Sequence, residues 1–331
     1  MEKIAVIGAG SWGTTAAWLA AANVPVLLWA RRDDVVAEIN SARVNSQYLP
    51  GLELQPTLTA TGDLAEAVEG AELVALAVPS HGFRSVFEQI APLIPNQVPV
   101  ISLTKGIEQG SLLRMTEIVS ELLPDHDTRR VGVLTGPNLA SEIAAEQPTA
   151  AVIAVADPET GERIQGVFMA PLFRVYTNDD VIGSELGGAL KNVMAIAAGM
   201  SDGLGFGDNT RATLITRALA ELTRLGTRLG GRPGTFAGLA GMGDLIATCV
   251  SSRSRNHRVG FGMAQGRSLD EVIDDMNMVA EGVKTTRAVL DLANKFDVEM
   301  PIASHVGTVL YEGMSPKEAM LSLMTREAKP E

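Results

Sequence analysis

Short, almost purely apolar runs recur through the first half of the chain, separated by stretches whose apolar positions follow a helical period. The runs are KIAVIG (3–8), VPVLLW (24–29), ELVALAVP (72–79), VPVISLT (98–104), RVGVLTG (130–136), TAAVIAVA (149–156) and FRVYT (173–177). Strands that are apolar on both sides and alternate with helices belong to a parallel sheet covered on both faces. Beyond about Asp180 no comparable run occurs. Long helical patterns follow, broken by SDGLGFGDNT, GGRPGT and AGMGD, where glycine and aspartate mark turns and caps. The pattern predicts an α/β fold. A Rossmann-like doubly wound sheet domain for dinucleotide binding would occupy residues 1–178. An all-helical C-terminal domain for substrate and catalysis would occupy 179–331.

The first run ends in IGAGSWGTT, which places Gly8, Gly10 and Gly13 in G-x-G-x-x-G spacing where a strand passes into a helix. Gly8 permits a tight turn, Gly10 lets a pyrophosphate approach the backbone, and Gly13 lets helix and strand pack closely. Glycine turns of this spacing also occur without a ligand, but here the required strand-turn-helix context is met. About 20 residues on, an NAD-selective site would carry an acid for the ribose hydroxyls. This chain has Arg31 and Arg32 there. Two guanidiniums suit a 2′-phosphate through forked, charge-assisted bonds, so NADP(H) is the preferred cofactor and NAD(H) stays open as a second. The plain alternative is a solvated pair bonded to Asp33, Asp34 or Glu38.

One helical stretch contains a contradiction. ELGGALKNVMAIAAGM (185–200) is apolar on almost every side, yet carries Lys191 and Asn192 in its middle. A buried ammonium without a partner is costly, so the stretch asks for a compensating group or a task. Carbonyl reduction supplies a task, because the oxygen needs a proton as hydride reaches the carbon, and a desolvated lysine is a suitable acid. A lysine that snorkels to the surface over its packed stem is the alternative. Lys105 follows a strand end, the edge where open α/β sheets bind ligands, although a surface lysine at a turn would look the same. Asp244 sits in the glycine-rich AGMGD turn, where capping the next helix is its ordinary role.

The net charge of −12 argues against a chain built to cover nucleic acid or an anionic membrane, so any bound anion should sit in a local pocket. SSRSRNHRVG answers to that, crowding Arg253, Arg255 and Arg258 with Ser254 and Asn256 as donors for a phosphate. It is too short and too poor in aromatics for nucleic acid. A single cysteine, Cys249, leaves no disulfide framework and suits the reducing cytoplasm. The N-terminus lacks a signal-peptide pattern, and no apolar run reaches the length of a membrane span. His81, His126, His257 and His305 are scattered without metal-site spacing, and no metal is expected. His81, beyond a strand end, is the best placed as an alternative acid.

With these residues assembled, the chain closely resembles the soluble NAD(P)-dependent glycerol-3-phosphate dehydrogenases of the bacterial type. IGAGSWGT, VPSHGFR, TKGIE, TGPNLASEI, GGALKNVMAIAAGMSDGLGFGDNTRATLITR, GLAGMGDLIATC, SSRSRN and VAEGVKT carry the resemblance, in order, from residue 4 to about 325. It implies NAD(P)H-dependent, reversible reduction of dihydroxyacetone phosphate to sn-glycerol 3-phosphate for phospholipid synthesis. By the same resemblance Lys191 is the proton donor and acceptor, and Lys105 touches cofactor and substrate. Asp244 and Asn192 order the polar side of the pocket. Ser254, Arg255 and Asn256 hold the substrate phosphate, with Arg255 also reaching the cofactor. Ser11 and Trp12 contact the cofactor, as do Ala140, Val279 and Glu281, while Gly136 and Asn138 lie on the substrate. Asn138 stands where many relatives have serine or threonine. A homodimer is expected, since closed two-fold symmetry is the commonest oligomer. Two other readings compete: a reductase of a carboxylate such as ketopantoate, and a nicotinamide-binding sensor without turnover. Phosphate dependence separates the first, and absence of turnover the second.

Overall fold

The protein is described by a computed structural model over residues 1–276 and 280–327. It divides into two compact units, Met1–Lys105 with Leu113–Glu185, and Gly106–Leu112 with Leu186–Glu331. The division therefore falls inside a helix, between Glu185 and Leu186.

The first unit is built on one sheet of eight strands. They are β1 (Ile4–Ile7), β2 (Val26–Trp29), β3 (Leu58–Thr61), β4 (Val74–Leu76), β5 (Val100–Ser102), β6 (Val131–Thr135), β7 (Thr149–Val155) and β8 (Phe173–Asn178). Helices α1 (Ser11–Ala21), α2 (Asp33–Ala42), α3 (Leu64–Val68), α4 (Ser80–Ile90), α5 (Met115–Leu122), α6 (Ala140–Ala144) and α7 (Pro158–Phe168) connect them. The strand order is β3-β2-β1-β4-β5-β6-β7-β8. It reverses direction between β1 and β4, the switch point at which doubly wound sheets bind ligands.

The alternation of side chains along β1 shows how both faces are covered. Ile4 and Val6 join one core with Ala16 and Ala17 of α1, while Ala5 and Ile7 join the other with Phe83 and Phe87 of α4. All four β1 residues are fully buried, which is why the strand reads as an unbroken apolar run.

Two features depart from the pattern expected of the sequence. Strand β3 follows no apolar run: it is one of the two edge strands, paired with β2, and its residues Leu58-Thr59-Ala60-Thr61 alternate rather than run together. The sheet is also not wholly parallel, because β7 pairs antiparallel with β6, Val133 opposite Ala154, before β8 returns parallel to β7. The link 136–148 holds only the five-residue α6. Such a link turns the chain back at the same end of the sheet instead of carrying it across a full helical layer.

The second unit is helical. Most of α8 (Val181–Gly203) belongs to it, with α9 (Asp208–Arg228), α10 (Pro233–Phe236), α11 (Asp244–Val250) and α12 (Arg255–Ala264). Then come α13 (Leu269–Asp274), α14 (Glu281–Lys295), α15 (Pro301–Tyr311) and α16 (Pro316–Met324). Among the described residues no single helix is long and apolar enough to cross a membrane.

Candidate functional site

In the first unit the predicted residues collect at the C-terminal ends of β1, β2, β5 and β6. Gly8 has φ +118°, and a Cβ there would lie 2.9 Å from the Ala77 carbonyl just after β4, so the turn is wedged into the switch point. A Cβ on Gly13 would come within 1.9 Å of the Gly8 carbonyl oxygen, which leaves hydrogen as the only tolerable substituent. At Gly10, the N-cap of α1, a Cβ would meet nothing within 4 Å. The cap makes no side-chain bond and the first turn holds no acid, so no side-chain carboxylate offsets the positive end of the α1 dipole there. These are the three glycine roles of a pyrophosphate turn, and a dinucleotide fits them. Ser11 opens α1 and its hydroxyl donates to the Tyr48 carbonyl at 2.7 Å. The Trp12 indole N–H is buried without a hydrogen-bond partner among the described residues.

Beyond β2 the two arginines part company. Arg32 donates Nε to Asp34 Oδ1 at 2.9 Å and a terminal nitrogen to Gln47 Oε1 at 2.6 Å, the ordinary surface role. Arg31 is exposed and makes no such bond with described residues. Past β5, half-buried Lys105 donates Nζ to the Gly136 carbonyl at 2.8 Å, and Gly136 holds φ +120°. Both amide atoms of Asn138 are buried and unbonded among the described residues, a group of donors and acceptor without a protein partner. Ala140 is the first residue of α6.

In the second unit Lys191 is only 6% exposed, so it does not snorkel. Its ammonium donates to Asp244 Oδ1 at 2.7 Å and to Thr248 Oγ1 at 2.5 Å. The third donor has no partner among the described residues. Asp244 does not cap the helix it begins: the N-cap of α11 is Gly243, which closes a π-helical turn over Leu239–Gly243. That turn swings the Asp244 carboxylate, 1% exposed, onto Lys191.

The predicted phosphate triplet forms the start of α12. Ser254 is its N-cap, accepting from the His257 amide at 3.3 Å, and the first turn contains no acid. Arg255 is exposed, although protein packed along its side chain lowers its pKa from the ordinary arginine value, opposed by Glu281. Asn256 is buried, donating Nδ2 to Asn192 Oδ1 at 2.9 Å and accepting from the Gly282 amide at 2.9 Å. Glu281 begins α14. Val279 lies outside the described residues.

Sequence reading missed Thr248, Asn45 and Tyr48. Thr248 stands four residues after Asp244 on α11, the same helical face, so spacing alone could have found it. Asn45 is fully buried and donates to the Ala9 carbonyl at 3.0 Å and Thr14 Oγ1 at 2.8 Å, bracing the glycine turn from a loop that no local signal marks. His81 is exposed in the first turn of α4, whereas His126, His257 and His305 are all hydrogen-bonded within the protein.

The model of the NAD-dependent glycerol-3-phosphate dehydrogenase N-terminus matches residues 3–161, and that of the C-terminus matches residues 180–321. Glycerol-3-phosphate dehydrogenase [NAD(P)+] 2 of Sphingopyxis alaskensis is 56% identical over 304 residues, 92% of this chain and 90% of the relative. Its counterpart in Citrifermentans bemidjiense is 51% identical over 331 residues, 100% and 99% of the two chains. The crystal structure of glycerol-3-phosphate dehydrogenase from Coxiella burnetii superposes with a TM-score of 0.93 at 39% identity, covering 98% of this chain and 99% of that one. A glycine turn built for pyrophosphate, a buried lysine with an unspent donor and these matches along almost the whole length agree: the chain belongs to the NAD-dependent glycerol-3-phosphate dehydrogenase family.

Proposed function

We propose that this protein reduces dihydroxyacetone phosphate reversibly to sn-glycerol 3-phosphate in the cytoplasm, favouring NADPH over NADH, and so supplies phospholipid synthesis. Family membership carries the reaction. The observation that carries the residue assignment is the Lys191 ammonium, buried, held at two of its three donors and left with the third. When bound, NAD(P)H supplies the hydride. Gly8, Gly10, Gly13, Ser11 and Trp12 would hold the cofactor's pyrophosphate and nicotinamide side, with Ala140, Glu281 and Val279 as further contacts. Arg31 would take a 2′-phosphate, since Arg32 already has Asp34 and Gln47.

Lys191 donates its proton to the ketone oxygen and stabilises the developing alkoxide. Asp244 and Thr248 accept two of its hydrogens, which aims the third. Arg255, Ser254 and the amides at the start of α12 bind the remote phosphate, so binding energy there orients the carbonyl. Asn256 ties this helix to Asn192, the neighbour of Lys191. Lys105 and the unsatisfied amide of Asn138 supply further donors to substrate. A closed homodimer belongs to the same proposal, and light scattering checks it.

Initial rates of NADPH and NADH oxidation with dihydroxyacetone phosphate, unphosphorylated dihydroxyacetone and ketopantoate test the assignment. Fast turnover of the phosphorylated ketone alone, with Arg255→Ala losing it, is the expected result. Turnover of ketopantoate would overturn the phosphate pocket, and silence with all three would revive the sensor. Arg31→Ala should raise KM for NADPH by about 10- to 100-fold, the worth of a hydrogen bond to a charged group, and leave NADH unaffected. An equal effect on both cofactors would refute the 2′-phosphate role.

A further inference from the structure

His257 directly follows the phosphate triplet and is buried, and its imidazole has no part in the proposed reaction. Its Nε2 lies 2.9 Å from Asp202 Oδ2 in the last turn of α8. A carboxylate can only accept, so Nε2 carries the hydrogen. The other oxygen, Asp202 Oδ1, accepts from Arg211 of α9, with Nε at 3.2 Å and a terminal nitrogen at 3.0 Å. Arg211 also bonds Asp208 at 2.8 Å. Asp202 is thus gripped from the far side and presents a fixed acceptor to His257.

The position of this bond along α8 gives it a consequence. Helices α8 and α12 cross at backbone contact: a Cβ on Gly199 would fall 1.9 Å from the His257 carbonyl oxygen, and one on Gly260 would fall 1.9 Å from that of Ile196. Asn192 and Asp202 bracket the crossing, ten residues or about 15 Å apart along the α8 axis. The consecutive residues Asn256 and His257 reach out to these two anchors. Glycine contact alone would let α12 slide or rotate on α8, because it is non-directional. Two hydrogen bonds on opposite sides remove both freedoms, and the His257 amide is also the one that Ser254 caps.

We propose that His257, held by Asp202 and Arg211, is a positioning residue that sets the first turn of α12, and hence the phosphate-binding groups, in register with Lys191. The proposal rests on the assignment of the phosphate to Arg255, Ser254 and the amides at the start of α12. It touches neither substrate nor proton transfer directly.

The test compares kcat/KM for dihydroxyacetone phosphate with that for unphosphorylated dihydroxyacetone in His257→Leu, Asp202→Asn and His257→Gln. The expected result is a loss on the order of tenfold for the phosphorylated ketone in the first two variants, mostly in KM, from losing one hydrogen bond to a charged group. The slow reaction of dihydroxyacetone should stay within about twofold, since it never uses the phosphate groups. Glutamine keeps a donor, and should recover most of the loss. An equal fall on both ketones, or no fall at all, would overturn the proposal. If His257→Leu does not yield folded protein, Asp202→Asn, which keeps the volume, is read by the same criterion. Arg255→Ala runs alongside: if it fails to abolish the preference for the phosphorylated ketone, the phosphate assignment itself is wrong, whereas a loss there without one in the His257 variants refutes the positioning role alone.

Discussion

Replacing Lys191 with methionine separates what its charge does for stability from what it does for the reaction. The substitution keeps an unbranched stem of similar volume and removes the cation 2.7 Å from Asp244, a carboxylate only 1% exposed. An uncompensated buried charge costs about 3–5 kcal/mol, a large share of the roughly 5–15 kcal/mol that holds a typical protein folded. Removing both partners avoids that penalty, because a buried pair exchanged for apolar groups of similar volume is often neutral or stabilising. The double variant Lys191→Met/Asp244→Leu should therefore recover most of the stability. It should recover none of the turnover: loss of a proton donor costs about 10²–10⁴-fold in kcat, and the proposed role of Lys191 expects that fall in both proteins. NADPH affinity should barely change, because the proposed cofactor contacts lie at the glycine turn. Urea unfolding, initial rates and a fluorescence titration with NADPH read the three quantities. A single variant within tenfold of wild-type kcat would refute the proton-donor role, and a double variant no more stable than the single one would refute the account of the buried pair.

Other perturbations probe the rest of the molecule. Burial pushes the Glu221 carboxyl up to about 7, against two backbone N–H donors at the start of α15 and the cations Arg224 and Arg217. The folded chain thus keeps a proton that the unfolded chain releases above about 4.5, so the contribution of Glu221 to stability is full below that pH and is lost as pH rises to about 7, by up to about 3 kcal/mol; Glu221→Gln should remove this component of the pH dependence in urea unfolding, and a pH dependence unchanged between about pH 4.5 and 7 would reject the account. Gly13→Ala forces a Cβ to 1.9 Å from the Gly8 oxygen and should destabilise by about 1–3 kcal/mol, whereas Gly10→Ala meets open space and should keep the melting temperature while weakening NADPH binding. Arg114→Met removes a 2.8 Å partner from Glu185, which is 3% exposed and retains only Thr116 among the described residues, and should cost about 1.5–3 kcal/mol by chemical denaturation. Burial pushes the Cys249 thiol up to about 12, so iodoacetamide at pH 8 should label it only as fast as the protein opens.

Much of the first unit was legible because its signals are local. A strand covered on both faces, such as β1, must be apolar at every position, and each of the seven runs overlaps a strand. The Gly8-Gly10-Gly13 spacing reads as a pyrophosphate turn for reasons of backbone geometry that hold wherever a strand meets a helix. Strand β3 escaped because its four residues at one edge of the sheet alternate apolar residues with threonine and leave no apolar run to read. In the second unit the oddity of Lys191 was visible, but its resolution was not. Whether Asp244 capped α11 or met the lysine depended on a π-helical turn that Gly241 permits by packing its α-carbon against the Phe236 backbone.

By itself the sequence determined the α/β rhythm, the glycine turn, the helical second half and the oddity of a lysine inside an apolar helix. Periodicity and spacing act between near neighbours along the chain, so they can be read in one dimension. Only the tertiary structure decided that β7 runs against β6, that Arg32 is engaged while Arg31 is exposed, and that Thr248 completes the lysine's partners. It also decided that Asn192 and Asp202 brace α12 on either side of its crossing. Those choices join residues up to 64 apart in the chain, and the energy that makes them, burial of a charge or a donor beside its partner, exists only once the segments have met.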